Sequence, residues 1–297
     1  MPNTVNGPRL LVLAGVHGDE REPIEAVRRL EAALAMERVH GSVTLVPEAN
    51  PTACAAGTRL GADGLDMARS FPGLPDGTPT QQAAHAITER IRRADALIDL
   101  HTGGRTLRVL PMTGYMLHRD PVVLDGQRRM ARAFGLPVIW GTSAALEGRS
   151  LSTARDLAVP AIYAEYGGGD GCDEAAVTAY VSGCLNVMRE LGMLAPAAAG
   201  PASDRRPLVV EDARDGSGHL QAGHPAPCDG DFRAAVGLGA TVRAGDVLGT
   251  LATAEGAIHD IRATAAGLVL VLRPDAAARA SDPLAVILEH QAGGDGT

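Results

Sequence analysis

The chain carries His17 and Glu20 in Gly15-Val16-His17-Gly18-Asp19-Glu20, directly after an apolar run at 10–14. It carries a second histidine at the end of another apolar run, Leu97-Ile98-Asp99-Leu100-His101, followed by Thr102-Gly103-Gly104. Two histidines and one glutamate form the ligand set of a catalytic zinc that keeps its fourth position open for water. Taken alone, a His-x-x-Glu pair is more often solvated or capping than metal-binding, and the case grows only because both histidines end strands beside glycines. Period-two alternation points Asp99 to the same side as His101, where it can orient that ring.

A hydrolase of this kind also needs a group to take a proton from the attacking water and deliver it to the leaving nitrogen. Glu165 ends the run at 161–164 and is followed by Tyr166 and Gly167-Gly168-Gly169. It is the candidate for that role, although a glutamate there is by itself more often a plain polar strand end. Between 50 and about 76 lies a stretch rich in Gly, Pro, Ala and Asp with little periodicity, longer than the usual structureless connection and for that reason a candidate functional loop. It contains Asn50, Arg59 and Arg69. A guanidinium can stabilise a developing oxyanion or clamp a carboxylate through its planar fork, though either arginine alone is more often a surface charge. Asp63 and Asp66, beside Gly61 and Gly64, read as turn-fixing residues, and Tyr166 as a substrate contact or simple packing.

The elements that must position these residues alternate short apolar runs with amphipathic stretches. Strands are expected at 10–14, 43–46, 97–100, 138–140 and 161–164, with helices at 23–36, 80–94, 122–134 and 173–191. This is an α/β pattern with a mostly parallel sheet, which places ligands at the carboxyl ends of its strands. A small, prolyl segment at 195–207 reads as a linker. Beyond it, valine and leucine runs at 232–238, 242–251, 267–272 and 284–288 are broken by glycine, an all-β texture. Two stretches there, 242–249 and 280–287, look like half-repeats in which a turn enters a strand, similar to barrel-sandwich modules of the lipoyl or biotinyl type. The expected division is therefore a catalytic domain at 1–194, a linker at 195–207 and an all-β domain at 208–297.

Composition removes other chemistries. The 297 residues contain no lysine, so all 27 basic side chains are arginine. That excludes a lysine Schiff base, a Walker-type phosphate lysine and lipoyl or biotinyl attachment. A formal charge of −8 argues against nucleic acid as a partner. Cys54, Cys172, Cys184 and Cys228 form no metal or redox spacing and read as ordinary thiols. His219, His224 and His259 lack mutual ligand spacing and read as surface or structural residues. The N-terminus lacks a basic region and a long apolar run, so a reduced cytoplasmic setting without membrane contact is expected.

Taken together, His-Gly-Asp-Glu at 17–20, Asn50-Pro51, Gly57-Thr58-Arg59, Arg69 with Ser70-Phe71-Pro72-Gly73, Asp99-Leu100-His101 and Glu165 before its glycines resemble the succinylglutamate desuccinylase and aspartoacylase family of the zinc carboxypeptidase clan. The chain is most similar to the branch containing the N-acetyl-2,4-diaminobutyrate deacetylases. The resemblance spans most of the chain, and the order of its motifs is more specific than any one of them. It implies a zinc-carboxypeptidase-like mixed sheet flanked by helices, with a smaller all-β C-terminal domain of barrel-sandwich type. It further implies one zinc per chain held by His17, Glu20 and His101, with Glu165 as general acid and base, Arg59 polarising the scissile carbonyl and Arg69 gripping a substrate carboxylate. Asn50 and Tyr166 are further candidates for substrate binding. One departure concerns Asp66-Met67-Ala68-Arg69, where the family reads Asp-Leu-Asn-Arg. Ala68 removes an amide that would help hold that carboxylate.

The leading expectation is a zinc-dependent amidohydrolase that removes a small acyl group from an N-acylated amino acid or related amine, a small-molecule partner. A carboxypeptidase or amidase acting on a peptide-like substrate is the alternative within hydrolases, and a non-catalytic metal-binding protein is the alternative outside them. The acyl group, the amine and any homo-oligomeric state are left open by the sequence.

Overall fold

A computed structural model describes residues 6–196, 206–220, 223–274 and 276–289. Alternation of apolar residues on both faces of the first strands builds a central sheet. The chain runs through β1 (Arg9–Leu13), α1 (Arg21–Leu34), β2 (Ser42–Val46), α2 (Pro51–Ala56), α3 (Pro79–Ile91), β3 (Ala96–His101) and β4 (Arg108–Met116). It continues through α4 (Pro121–Phe134), β5 (Val138–Thr142), α5 (Ser150–Asp156), β6 (Ala161–Gly167) and α6 (Glu174–Glu190). Leu10 and Val12 of β1, with Ala14 just after it, join a core under α1, α4 and α6, whereas Leu11 and Leu13 join a second core under α3 and α5. In β3, Ala96, Ile98 and Leu100 take the first side, which leaves Leu97, Asp99 and His101 on the second.

The main path of the sheet begins β2-β1-β3-β6-β4, with β5 also paired to β4. β1 is parallel to β2 and β3, and β3 to β6, but β4 runs antiparallel to β6. β4 is absent from the expected strands because Arg108-Val-Leu-Pro-Met-Thr-Gly-Tyr-Met contains two breakers. Pro111 falls where the β4–β6 register shifts between Val109 and Met112, a bulge that tolerates a missing ladder donor. Gly114 faces Tyr163, whose ring lies so close that a Cβ would come within 2.3 Å. The expected loop at 50–76 contains α2 and a 3-10 turn at Met67–Arg69, both too short to show periodicity.

Most of the expected linker, 197–205, lies outside the described residues. After it come β7 (Leu208–Glu211), β8 (Gly230–Ala234), β9 (Thr241–Val242), β10 (Val247–Ala252), β11 (Ile258–Arg262), β12 (Gly267–Leu272), β13 (Ala276–Ala278) and β14 (Ala285–Leu288). These strands divide between two sheets. β7 pairs with β5, and β12 pairs with β4 and carries β9 and β14, so the central sheet has ten strands among the described residues. The second sheet has four, in the order β11-β10-β8-β13. Phe232, Leu248, Leu251, Val269 and Leu284 form the core between them. The half-repeats share one turn chemistry: Asp246 accepts from the Arg243 amide at 2.7 Å, and Asp282 from the Arg279 amide at 3.0 Å. Among the described residues no helix is long and apolar enough to cross a membrane.

Candidate metal centre and cavity

Ala14 follows β1, and Gly15 turns the chain with φ +67°, in a space where a Cβ would lie 2.6 Å from the Pro47 carbonyl. Only glycine fits that combination. Gly18 packs even closer to Ala53, and its amide donates to the Thr58 carbonyl at 2.9 Å. These contacts hold the His17 loop against α2. Asn50 supports the same junction from outside the cavity: it caps α2 by accepting from the Ala53 amide at 3.4 Å and the Thr52 hydroxyl at 3.0 Å. The left-handed Gly57 then ends α2 and delivers Arg59 beside His17.

Three segments converge on a buried centre. His17 Nδ1 lies 2.6 Å from Glu20 Oε1, and His101 Nδ1 lies 3.1 Å from Glu20 Oε2. The two rings are 5.3 Å apart between centroids. One ligand atom from each of His17, Glu20 and His101 falls within 4.8 Å of the others, the one such group among the described residues. Each remaining ring nitrogen has its own carboxylate: Asp66 Oδ1 is 3.1 Å from His17 Nε2, and Asp99 Oδ1 is 3.2 Å from His101 Nε2. Asp66 also accepts from the Ala68 amide at 2.8 Å, which fixes the 3-10 turn. Asp63 accepts from the Thr80 amide and hydroxyl and only shapes the loop.

Three carboxylates around two imidazoles make a centre that needs positive charge. Burial works against ionisation of Glu20, but His17 and His101 outweigh it and hold the carboxyl well below the usual range. Burial likewise opposes charge on His101, and Asp99 with Glu20 outweighs it, so that ring is held well above the ordinary histidine value. Burial is overcome at Asp66 too, by the His17 hydrogen bond and the Arg59 charge. A divalent cation between the two Nδ1 atoms and Glu20 meets the same need. Held there, it would leave both Nε2 atoms facing a carboxylate, Asp66 by a hydrogen bond and Asp99 by an ion-pair contact, the usual backing for a metal-bound histidine. The donor set fits a borderline metal such as zinc.

Glu165 lies opposite His101 in the β3–β6 register and is buried, with one carboxylate oxygen lacking a partner. Burial, the leading cause, together with the nearby Glu20 charge, pushes its carboxyl up to about 8 against the pull of His101. Arg59 donates to Asp66 Oδ2 at 3.1 Å, while its other terminal nitrogen is 3.8 Å from Glu20 Oε1. His17, Glu20, Arg59, Ala68, Arg69, Asp99, His101 and Glu165 all line one cavity.

Tyr166 does not line it. Strand alternation sends Tyr166 to the opposite face, where it packs on Tyr180, and presents Tyr163 to the cavity instead. Three further contributors lie outside the residues expected from the sequence. Arg149, the residue before α5, lines the cavity beside Arg69, and burial and that neighbouring charge lower its pKa. Its guanidinium donates to the Gly218 carbonyl at 3.2 Å and to His219 Nδ1 at 3.2 Å, so His219 touches the site's margin. Ser150 lies under Asp99. The segment at 218–220, beyond the expected linker, supplies Gly218 and Leu220 to the wall. Arg149 and Ser150 follow the strand-end logic that found His17 and His101, since they come soon after β5, whereas 218–220 carries no signal in the sequence. His224 is bonded to the Ala285 carbonyl and Thr264, a structural role.

The profile of the succinylglutamate desuccinylase/aspartoacylase catalytic domain matches residues 6–191. N-alpha-acetyl-L-2,4-diaminobutyric acid deacetylase of Halomonas elongata is 31% identical over 302 residues, covering 95% of this chain and 82% of that one. A succinylglutamate desuccinylase/aspartoacylase structure from Rhodobacter sphaeroides superposes with a TM-score of 0.85 at 28% identity, covering 96% of this chain and 86% of the other. The product-bound ectoine utilization protein EutE (DoeB) of Ruegeria pomeroyi gives a TM-score of 0.83 at 27% identity, covering 95% and 85%.

Proposed function

The chain belongs to the succinylglutamate desuccinylase/aspartoacylase family, and from that premise we propose that it is a zinc-dependent amidohydrolase removing a small acyl group from an N-acylated amino acid or related amine. The observation that carries the reading is the buried His17, Glu20 and His101 cluster with Glu165 in register beside it. When bound there, the cation supplies Lewis-acid polarisation of the acyl carbonyl and acidifies a water. The chain's own residues do the rest. Glu165 takes the proton of the attacking water and delivers it to the departing nitrogen. Arg59 presents a guanidinium edge to the oxyanion that forms on the carbonyl. Arg69 and Arg149 face the cavity beyond the imidazole pair, which suits a substrate that carries a carboxylate. Gly218 and Leu220 close one wall and favour a small substrate over a chain.

The test combines metal analysis with a screen of N-acyl amino acids read by release of free primary amine. Stoichiometric zinc, activity lost to a chelator and restored by zinc, and loss of both zinc and turnover in His101→Ala are the expected results. Full activity in a metal-free preparation would overturn the reading. The Ala68 position gives a second prediction. Ala68→Asn places an amide donor next to Arg69, and the KM for an N-acyl amino acid with a free carboxylate is expected to fall by about tenfold with kcat little changed. Steady-state kinetics on acids and their carboxamides separate this from a general gain in activity.

A further inference from the structure

We infer that Ser150 is a positioning residue for the cation site, acting through Asp99 on His101. This rests on the metal reading above and adds a residue that neither the motifs nor that reading contains. The Ser150 hydroxyl donates to Asp99 Oδ2, and the other oxygen of the same carboxylate lies 3.2 Å from His101 Nε2. His101 Nδ1 in turn faces Glu20 Oε2 at 3.1 Å. Ser150, Asp99, His101 and Glu20 thus form one continuous line through the interior, and Ser150, Asp99 and Glu20 are each 3% exposed or less.

The line matters because a carboxylate can rotate. Asp99 Oδ1 makes an ion-pair contact with the ring but has no hydrogen-bond partner, so nothing on that side fixes the carboxylate plane, and a buried carboxylate without a donor is costly. Ser150 supplies the donor, to Oδ2, which keeps the Asp99 plane facing His101. The ring is then fixed with Nε2–H towards Asp99 and Nδ1 towards Glu20, the face a cation must use.

The position of the hydroxyl is itself over-determined. Ser150 opens α5, whose start is locked by a reciprocal pair: the Arg149 amide donates to Ser152 Oγ at 2.8 Å, and that hydroxyl donates to the Arg149 carbonyl at 2.7 Å. Gly148, two residues before Ser150, is clamped too, since its carbonyl accepts from the Phe71 amide at 3.2 Å. The backbone at 148–150 therefore cannot drift to follow a rotated Asp99.

The test measures zinc affinity of the full chain by competition with a chromophoric chelator, without substrate. Ser150→Ala is expected to raise the zinc dissociation constant by about 10- to 100-fold. Ser150→Thr, which keeps the hydroxyl, is expected to restore most of the affinity. Ser150→Cys keeps the volume and weakens the donor, so it gives an intermediate value and serves where the alanine variant does not fold. A merely structural serine would lower thermal stability and leave the affinity of the folded protein unmoved. Alanine and cysteine variants that bind zinc within twofold of the parent overturn the inference while leaving the metal reading intact. A parent chain that binds no zinc overturns both.

Discussion

Glu165→Gln is expected to lower kcat by about 10²- to 10⁴-fold while zinc stays bound and KM changes little. Glutamine keeps the shape of the side chain and its place opposite His101, so the cavity persists, but it can neither accept nor return a proton. Because the proton passes to the nitrogen and not to bulk water, the loss is expected to be largest for poor leaving amines and smaller for activated acyl esters. Comparing an amide with an activated ester of the same acyl group checks this. Equal losses on both would assign Glu165 to the attack step alone.

The same substitution makes a stability prediction of opposite sign. In the metal-free protein burial raises the Glu165 carboxyl from the usual 4.5 to about 8. A raised folded-state value means the neutral form contributes stability in full below pH 4.5, and that contribution is lost as pH rises through about 8. Glutamine is neutral throughout. Metal-free Glu165→Gln is therefore expected to match the parent near pH 4.5 and to exceed it by roughly 3–5 kcal/mol above pH 8. Denaturant titrations across that range measure the gap. Zinc is expected to narrow it, because a neighbouring cation favours the ionised carboxylate.

What was legible in the sequence and what was not divides along physical lines. His17, His101 and Glu165 each end an apolar run, and a parallel sheet gathers its strand ends, so residues 17, 101 and 165 meet although the sequence separates them widely. Period-two alternation was enough to turn Asp99 towards His101. The same alternation places Tyr163, not Tyr166, in the cavity, a distinction lost when a residue is chosen for lying beside glycines. β4 was hidden because Pro111 and Gly114 punctuate it, and only the β6 partner shows that one sits at a bulge and the other makes room for the Tyr163 ring. Ser150 and Arg149 open a helix too short for a periodic signal. Gly218 and Leu220 reach the cavity because β7 extends the sheet beside β5, a long-range pairing that no local pattern encodes.

Arg59→Lys carries the second large effect, a fall in kcat of about 10²- to 10³-fold, or ~2.7–4 kcal/mol of transition-state stabilisation. Charge is conserved in this change, so the loss comes from geometry. The guanidinium spends one terminal nitrogen on Asp66 Oδ2 at 3.1 Å and turns the other towards the His17 and Glu20 edge of the metal centre. One planar fork thus anchors itself and still faces the carbonyl. An ammonium is a single point and must choose, and the half-buried Asp66 carboxylate is the stronger attraction. If Arg59 served only to hold Asp66, then Asp66→Asn would match Arg59→Lys in kcat; with the role on the carbonyl, Asp66→Asn loses far less turnover and shows its effect on zinc affinity through His17. The chain's lack of lysine makes the variant directly observable. Its side-chain amine is the one ε-amino group in the chain, so acylation by an amine-selective reagent, followed by peptide mapping, reports whether that amine lies paired to Asp66. Slow acylation that speeds up when Asp66→Asn is added is the result expected if the ammonium has settled on Asp66 and left the carbonyl without its donor.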